Sequence, residues 1–175
     1  MEKHTLSVLV ENSPGVLTRV AGLFARRGFN IDSLAVGRTE RDDVSRMTIV
    51  VEGDRQLIEQ VTKQLHKLID VIKISNITTD EYVDRELVML KVSAEPNQRV
   101  EIIHIAGIFR ARVVDLGGKT MTFECTGNEG KINAFQASLS PYGIKELVRT
   151  GKIAMLRGSK FVSVGGSWPR EADDD

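Results

Sequence analysis

Few residues in this chain have the types and spacing that chemistry needs. A run of six, Asn12-Ser13-Pro14-Gly15-Val16-Leu17, follows an alternating apolar stretch and precedes a helical stripe. Backbone N–H groups at a helix start lack acceptors and carry partial positive charge, so they attract carboxylates. Gly15 lets a ligand come close to the backbone, and the Asn12 amide oxygen can accept from an ammonium. Gly28-Phe29-Asn30-Ile31, at the far end of the same stripe, supplies a second amide. One carboxylate and one ammonium make a free amino acid. From residue types alone, a helix with an N-cap and a C-cap and nothing bound is the simpler account of both segments.

The other reactive side chains fall away. Gly117-Gly118-Lys119-Thr120 has the ending of a phosphate-binding loop, but Val113 stands where that motif needs glycine, so a hairpin turn is expected. Cys125 shares a strand face with Met121 and Phe123 and reads as core. His4, His66 and His104 lie too far apart for metal-ligand spacing. His66, beside Lys67 on a helix, reads as a surface residue, and His104, among Ile102, Ile103 and Ile105, as a core or interface residue. Glu124 belongs to a strand and Glu129 opens a helix, so they form no acid/base pair. A noncatalytic chain is expected.

Composition sets outer bounds. The 175 residues allow one medium domain or two small ones, and 41% hydrophobic with 27% charged residues is ordinary for a soluble globular protein. Lys+Arg and Asp+Glu are both 24, so the basic excess of a nucleic-acid binder is absent. Zero net charge gives little colloidal repulsion, which suits a protein held in an assembly. A single cysteine excludes a disulfide framework within the chain. Met1-Glu2-Lys3-His4 leads into a strand without a signal-peptide core, and no apolar run approaches the roughly 18 residues a membrane span needs. No membrane is expected as a partner, and the cytoplasm is the expected compartment.

The elements that would position the loop follow from periodicity. Thr5 to Val10 alternates as a half-buried strand. Ser13 is the expected N-cap and Pro14 the first helical residue. Val16, Leu17, Val20, Ala21, Leu23 and Phe24 form the apolar stripe, and Gly28 stops the helix. Strands over 31–38 and 44–52 come next. Asp54 caps a second helix carrying Leu57, Ile58, Val61 and Leu65, and a strand covers 71–77. The second half repeats the order: strand 86–92, helix 99–109, strands 112–116 and 120–126, helix 128–139, and short strands near 144–148 and 153–156. Ala21-Gly22-Leu23-Phe24 aligns with Ala106-Gly107-Ile108-Phe109, and Gly53-Asp54 with Gly127-Asn128.

The expected fold is therefore α+β, two tandem ferredoxin-like βαββαβ domains at 1–80 and 81–160, with a flexible tail over 161–175. Right-handed crossovers place both helices of each unit on one sheet face, leaving the other open for pairing between copies. A fragment ending near Asp80 is expected to fold alone.

Leu6–Val10, the Asn12–Leu17 run and Arg26-Arg27-Gly28-Phe29-Asn30-Ile31-Asp32-Ser33-Leu34 resemble an ACT domain. The likeness continues through Ser45–Val51, Gln64–Val71, Arg85–Val92, Ile108–Asp115 and Tyr142–Gly151, and is closest to the regulatory small subunits of acetolactate synthase. The resemblance implies a homodimer of side-by-side ACT domains with an amino acid, typically valine, at the shared interface. It implies a large catalytic subunit as partner, carrying thiamine diphosphate, a divalent metal and usually FAD, with no cofactor in this chain. That enzyme condenses two 2-oxoacids on the way to valine, leucine and isoleucine, and the small subunit raises its activity and confers feedback inhibition. Carried over residue by residue, the effector site is Asn12, Gly15, Val16 and Leu17 of one protomer with Asn30 and Ile31 of its partner, and more weakly Gln60. The second domain lacks the Asn-x-x-Gly loop, with Pro96-Asn97-Gln98-Arg99 in its place, and is expected to contact the large subunit instead. The alternative is a stand-alone amino-acid-sensing ACT protein that controls another enzyme or a transcription factor.

Overall fold

The computed structural model describes residues 2–165, which form two compact units. The first holds the chain up to Val83 together with the segment from Ala154 onward, and the second spans Asp84–Ile153.

In the first unit, β1 (Glu2–Glu11), α1 (Val16–Arg27), β2 (Ile31–Arg38), β3 (Val44–Gly53), α2 (Arg55–Leu65) and β4 (Val71–Asn76) give the βαββαβ order. The antiparallel sheet runs β2-β3-β1-β4. Leu6, Val8 and Val10 alternate on the face that meets Met47, Ile49 and Val51 of β3. Val20, Leu23 and Phe24 of α1 and Ile58, Val61 and Leu65 of α2 complete this core. Gly28 ends α1 in the left-handed region (φ 67°), its N–H donating to Ala25 O at 3.2 Å while Phe29 N–H donates to Phe24 O at 3.0 Å. Phe29 then stacks edge-on against Phe24 at 6.2 Å, the apolar contact that goes with this stop. Asp54 caps α2, its carboxylate accepting from Leu57 N–H at 2.8 Å.

The start of α1 differs from expectation. Ser13 is not the cap and Pro14 is not helical: the helix begins at Val16, with Gly15 as its cap at φ 85°, ψ −8°. Proline followed by glycine at positive φ is the signature of a type II turn. That turn displaces the competing Ser-cap, Pro-first arrangement.

The face of the sheet opposite the helices is not left open. Leu9, Val44 and Ile77 are buried there with Ala154 and Val162, and Tyr82, Leu156 and Val164 pack against them. The returning segment is tied down at several points. Arg157 N–H donates to Glu81 O at 2.9 Å, Lys160 pairs with Asp80 at 2.8 Å, Arg46 donates to the Val162 carbonyl, and Lys73 to the Ser163 carbonyl at 3.2 Å. Two expectations are corrected here. Residues 154–160 group with the first unit instead of the second, and Val162, expected in a flexible tail, is buried. The remainder of that tail, 166–175, lies outside the described residues.

The second unit contains most of β5 (Tyr82–Ser93), then α3 (Arg99–Ile108), β6 (Arg112–Leu116), β7 (Thr120–Gly127), α4 (Glu129–Leu139) and β8 (Ile144–Arg149), in sheet order β6-β7-β5-β8. β9 (Ile153–Leu156) pairs with β5. Val88, Leu90, Val92, Met121, Phe123 and Cys125 pack under Ile102, Ala106, Ile132, Phe135 and Leu139. Phe135 sits between Phe109 (5.5 Å) and Phe123 (6.3 Å). Asn128 caps α4, accepting from Lys131 N–H at 2.9 Å, as Asp54 caps α2. Both units are ferredoxin-like.

Candidate functional site

The residues of reactive type sit in structural roles. Cys125 is buried, and burial pushes its thiol up from the usual value. At Gly117–Thr120 the Gly117 N–H closes the turn onto Thr120 O at 2.9 Å, while Arg99 caps the Gly117 carbonyl at 2.9 Å. Carbonyl oxygens there face a cation, the reverse of a phosphate cradle. His66 and His104 are exposed, and His4 is buried on β1. Among the described residues no three His, Cys, Asp or Glu side chains converge as metal ligands, and no helix is long and apolar enough to cross a membrane.

The loop between β1 and α1 is exposed and held from both sides. Asn12 N–H donates to Asp43 O and Asn12 Nδ2 to Asp42 O, both at 2.8 Å. Ser45 Oγ donates to Asn12 Oδ1 at 3.2 Å. The Asn12 oxygen therefore has one lone pair left for a further donor. On the other side, Glu11 N–H donates to Asp70 O at 2.9 Å. Gly15 is exposed, with no side-chain cap bond at the helix start. Val16 points into the core at 3% exposure, so only its backbone can serve a ligand, whereas Leu17 is 46% exposed.

Asn30 and Ile31 lie past the other end of α1, Asn30 exposed and Ile31 half-buried against the core. Gln60 is exposed on α2. Asn12, Gly15 and Leu17 are thus brought together, while Asn30 and Ile31 stand a helix length away: twelve residues at 1.5 Å span about 18 Å.

Sequence reasoning missed two charged neighbours. Arg19 donates from Nε to Asp70 Oδ2 at 2.6 Å and from Nη2 to Asp70 Oδ1 at 2.8 Å, a bidentate pair. The hydrogen bond from Arg19 holds the Asp70 carboxyl below the usual carboxylate range, and Asp70 raises Arg19. One signal was available. A cation near the start of a helix opposes the helix dipole, and no acidic residue stands in that first turn, so Arg19 needed an acid from elsewhere. Because the Asp70 value is depressed on folding, its contribution is fully present above the ordinary carboxylate range. It is lost as pH falls through the lowered value. Urea unfolding of wild type and Asp70→Asn should therefore differ most at neutral pH and converge in acid; a gap that does not narrow would show that the charge of Asp70 contributes nothing to it.

Comparison with known proteins places these features in a family. Residues 6–73 match the family described as AHAS small subunit-like ACT domain, and residues 85–158 match the small subunit of acetolactate synthase. The chain is 61% identical over 158 residues to a probable acetolactate synthase small subunit of Archaeoglobus fulgidus, covering 90% of this chain and 99% of that protein. It is 52% identical over 159 residues to the acetolactate synthase small subunit of Mycobacterium bovis, covering 91% and 95%. The crystal structure of an acetolactate synthase small subunit from Thermotoga maritima superposes with a TM-score of 0.84 at 39% identity, over 91% of this chain and 100% of that one.

Proposed function

This chain belongs to the acetolactate synthase small-subunit family, and from that membership we propose that it is the noncatalytic regulatory subunit that activates a thiamine-diphosphate-dependent large subunit and makes it sensitive to valine. The large subunit contributes the chemistry, with its thiamine diphosphate, divalent metal and FAD. This chain contributes binding and coupling. Valine binds between two copies, with Asn12, Gly15 and the start of α1 from one and Asn30 and Ile31 from the other.

One observation carries the reading: the two asparagines flank a helix about 18 Å long, far more than one amino acid can bridge. A second copy is the natural source of the missing end. The β2 edge is open to it, with Val36 47% exposed on that strand and Leu17 46% exposed on the neighbouring helix. The returning segment covers Leu9, Val44 and Ile77 on the sheet face, while β2, an outermost strand, has no strand partner on its outer side among the described residues.

Valine should consequently tighten the dimer by linkage. Sedimentation across a dilution series, with and without valine, tests this, and a dissociable dimer indifferent to valine would overturn the shared site. In the full chain, Asn30→Ala should weaken valine binding by about 1.5–3 kcal/mol, the worth of a hydrogen bond to a charged group, or roughly 10- to 150-fold by calorimetry. Copurification with the large subunit should be unaffected by that substitution, because Asn30 serves the effector and not the partner.

A further inference from the structure

We propose that Arg19, aimed by Asp70, is the side chain that reads the carboxylate of the effector. The inference rests on the amino-acid site above and names the group that recognises the acid end of the ligand.

Two of the three guanidinium nitrogens are engaged. Nε and Nη2 face the two oxygens of Asp70 at 2.6 and 2.8 Å. The third, Nη1, is turned toward Gly15, where a Cβ would lie only 3.1 Å from it. The donor edge left over therefore hangs above the one position of the loop that carries no side chain. An Arg fork fixed on one edge keeps its remaining N–H donors in a set direction, which a lysine on a flexible stem does not.

The clamp is built for direction more than for stability. Asp70 is nearly buried, its side chain 9% exposed, while the arginine side chain is 46% exposed and meets solvent beside the loop. Asp70 is also fixed through its backbone, since its carbonyl accepts Glu11 N–H at 2.9 Å and so ties the loop to the strand entry of β4. A cation here works against the helix dipole, so a purely structural role would be better served on another turn. A ligand carboxylate over Gly15 makes use of both: it meets Nη1 directly and the first-turn N–H groups that have no acceptor within the helix. The ligand class is thus an α-amino acid with a free carboxylate. Its amide, which keeps the ammonium and the side chain, is discriminated against.

Calorimetry on the full chain with valine and with valinamide separates the possibilities. Wild type should prefer valine by about 100-fold, as expected for hydrogen bonds to a charged group from Nη1 and the first-turn N–H groups. Arg19→Met should lose at least about tenfold of that preference while binding valinamide within about threefold of wild type. Asp70→Asn, which keeps the guanidinium but releases it, should lose a smaller part of the preference. Urea unfolding without ligand confirms that each variant is folded. Arg19→Met with the wild-type preference overturns the proposal, as does an equal loss for both ligands, which marks Arg19 as structural only. Wild type that binds neither ligand overturns the effector reading itself and this inference with it.

Discussion

A chain carrying Gly15→Asp should bind valine at least about 100-fold more weakly than wild type, a loss of roughly 2.8 kcal/mol, while still associating with the large subunit. Three effects add. Gly15 holds φ at 85°, where any L side chain is strained, although Asp tolerates it better than most. A Cβ would come within 3.1 Å of Arg19 Nη1. The new carboxylate would then pair with that guanidinium, fill the place proposed for the ligand carboxylate and repel it. The same new pair offsets much of the backbone strain, so the fold should survive with a change of no more than about 2 kcal/mol. Gly15→Ala, which adds the strain and the contact without the charge, should lose less. Calorimetry on both variants, with circular dichroism to confirm folding, is the check. Wild-type affinity in Gly15→Asp would remove the effector from this loop.

The second large effect is on stability. A fragment ended after Asp80 keeps both helices and all four strands of the first unit, yet should fail to fold as a cooperative domain. It loses Ala154, Leu156, Val162 and Val164 and uncovers Leu9, Val44 and Ile77. Each buried Val, Leu or Ile contributes about 1.5–3 kcal/mol, so the loss is roughly 5–10 kcal/mol. A domain has only about 5–15 kcal/mol in total. The fragment should bind a hydrophobic dye and show a shallow urea transition. Val162→Asp in the full chain should cost part of this, about 2–4 kcal/mol, by placing a carboxylate where Val162 is 7% exposed. A fragment that unfolds as sharply as the full-length first unit would show that the returning segment is passive. Tests of effector binding therefore belong in the full chain, contrary to the expectation that the first 80 residues stand alone.

The contrast between what the sequence disclosed and what it hid is physical. Elements defined by local periodicity were legible. Gly28 stops α1, Asp54 and Asn128 cap the equivalent helices of the two units, and the alternation of Leu6, Val8 and Val10 faces the core. Pro14-Gly15 was misread because two local motifs compete for the same residues, and the turn prevails over the cap. The cover over the second face was hidden because Leu9 and Val162 lie 153 positions apart, and no local pattern encodes that pairing. The site shows the same division. Asn12 and Gly15 are exposed, and of the two neighbouring residues on the expected apolar stripe Val16 is core while Leu17 is 46% exposed. Arg19 and Asp70, 51 positions apart, meet only in the fold.

The most direct test of the regulatory assignment is acetolactate formation by the purified large subunit from the same source, measured alone, with this chain, and with this chain across a range of valine concentrations. A regulatory subunit raises the rate, and valine lowers it only when the chain is present, with Gly15→Asp raising the rate but abolishing the valine response. A rate unchanged by the chain, or valine inhibition that does not need it, would contradict the assignment.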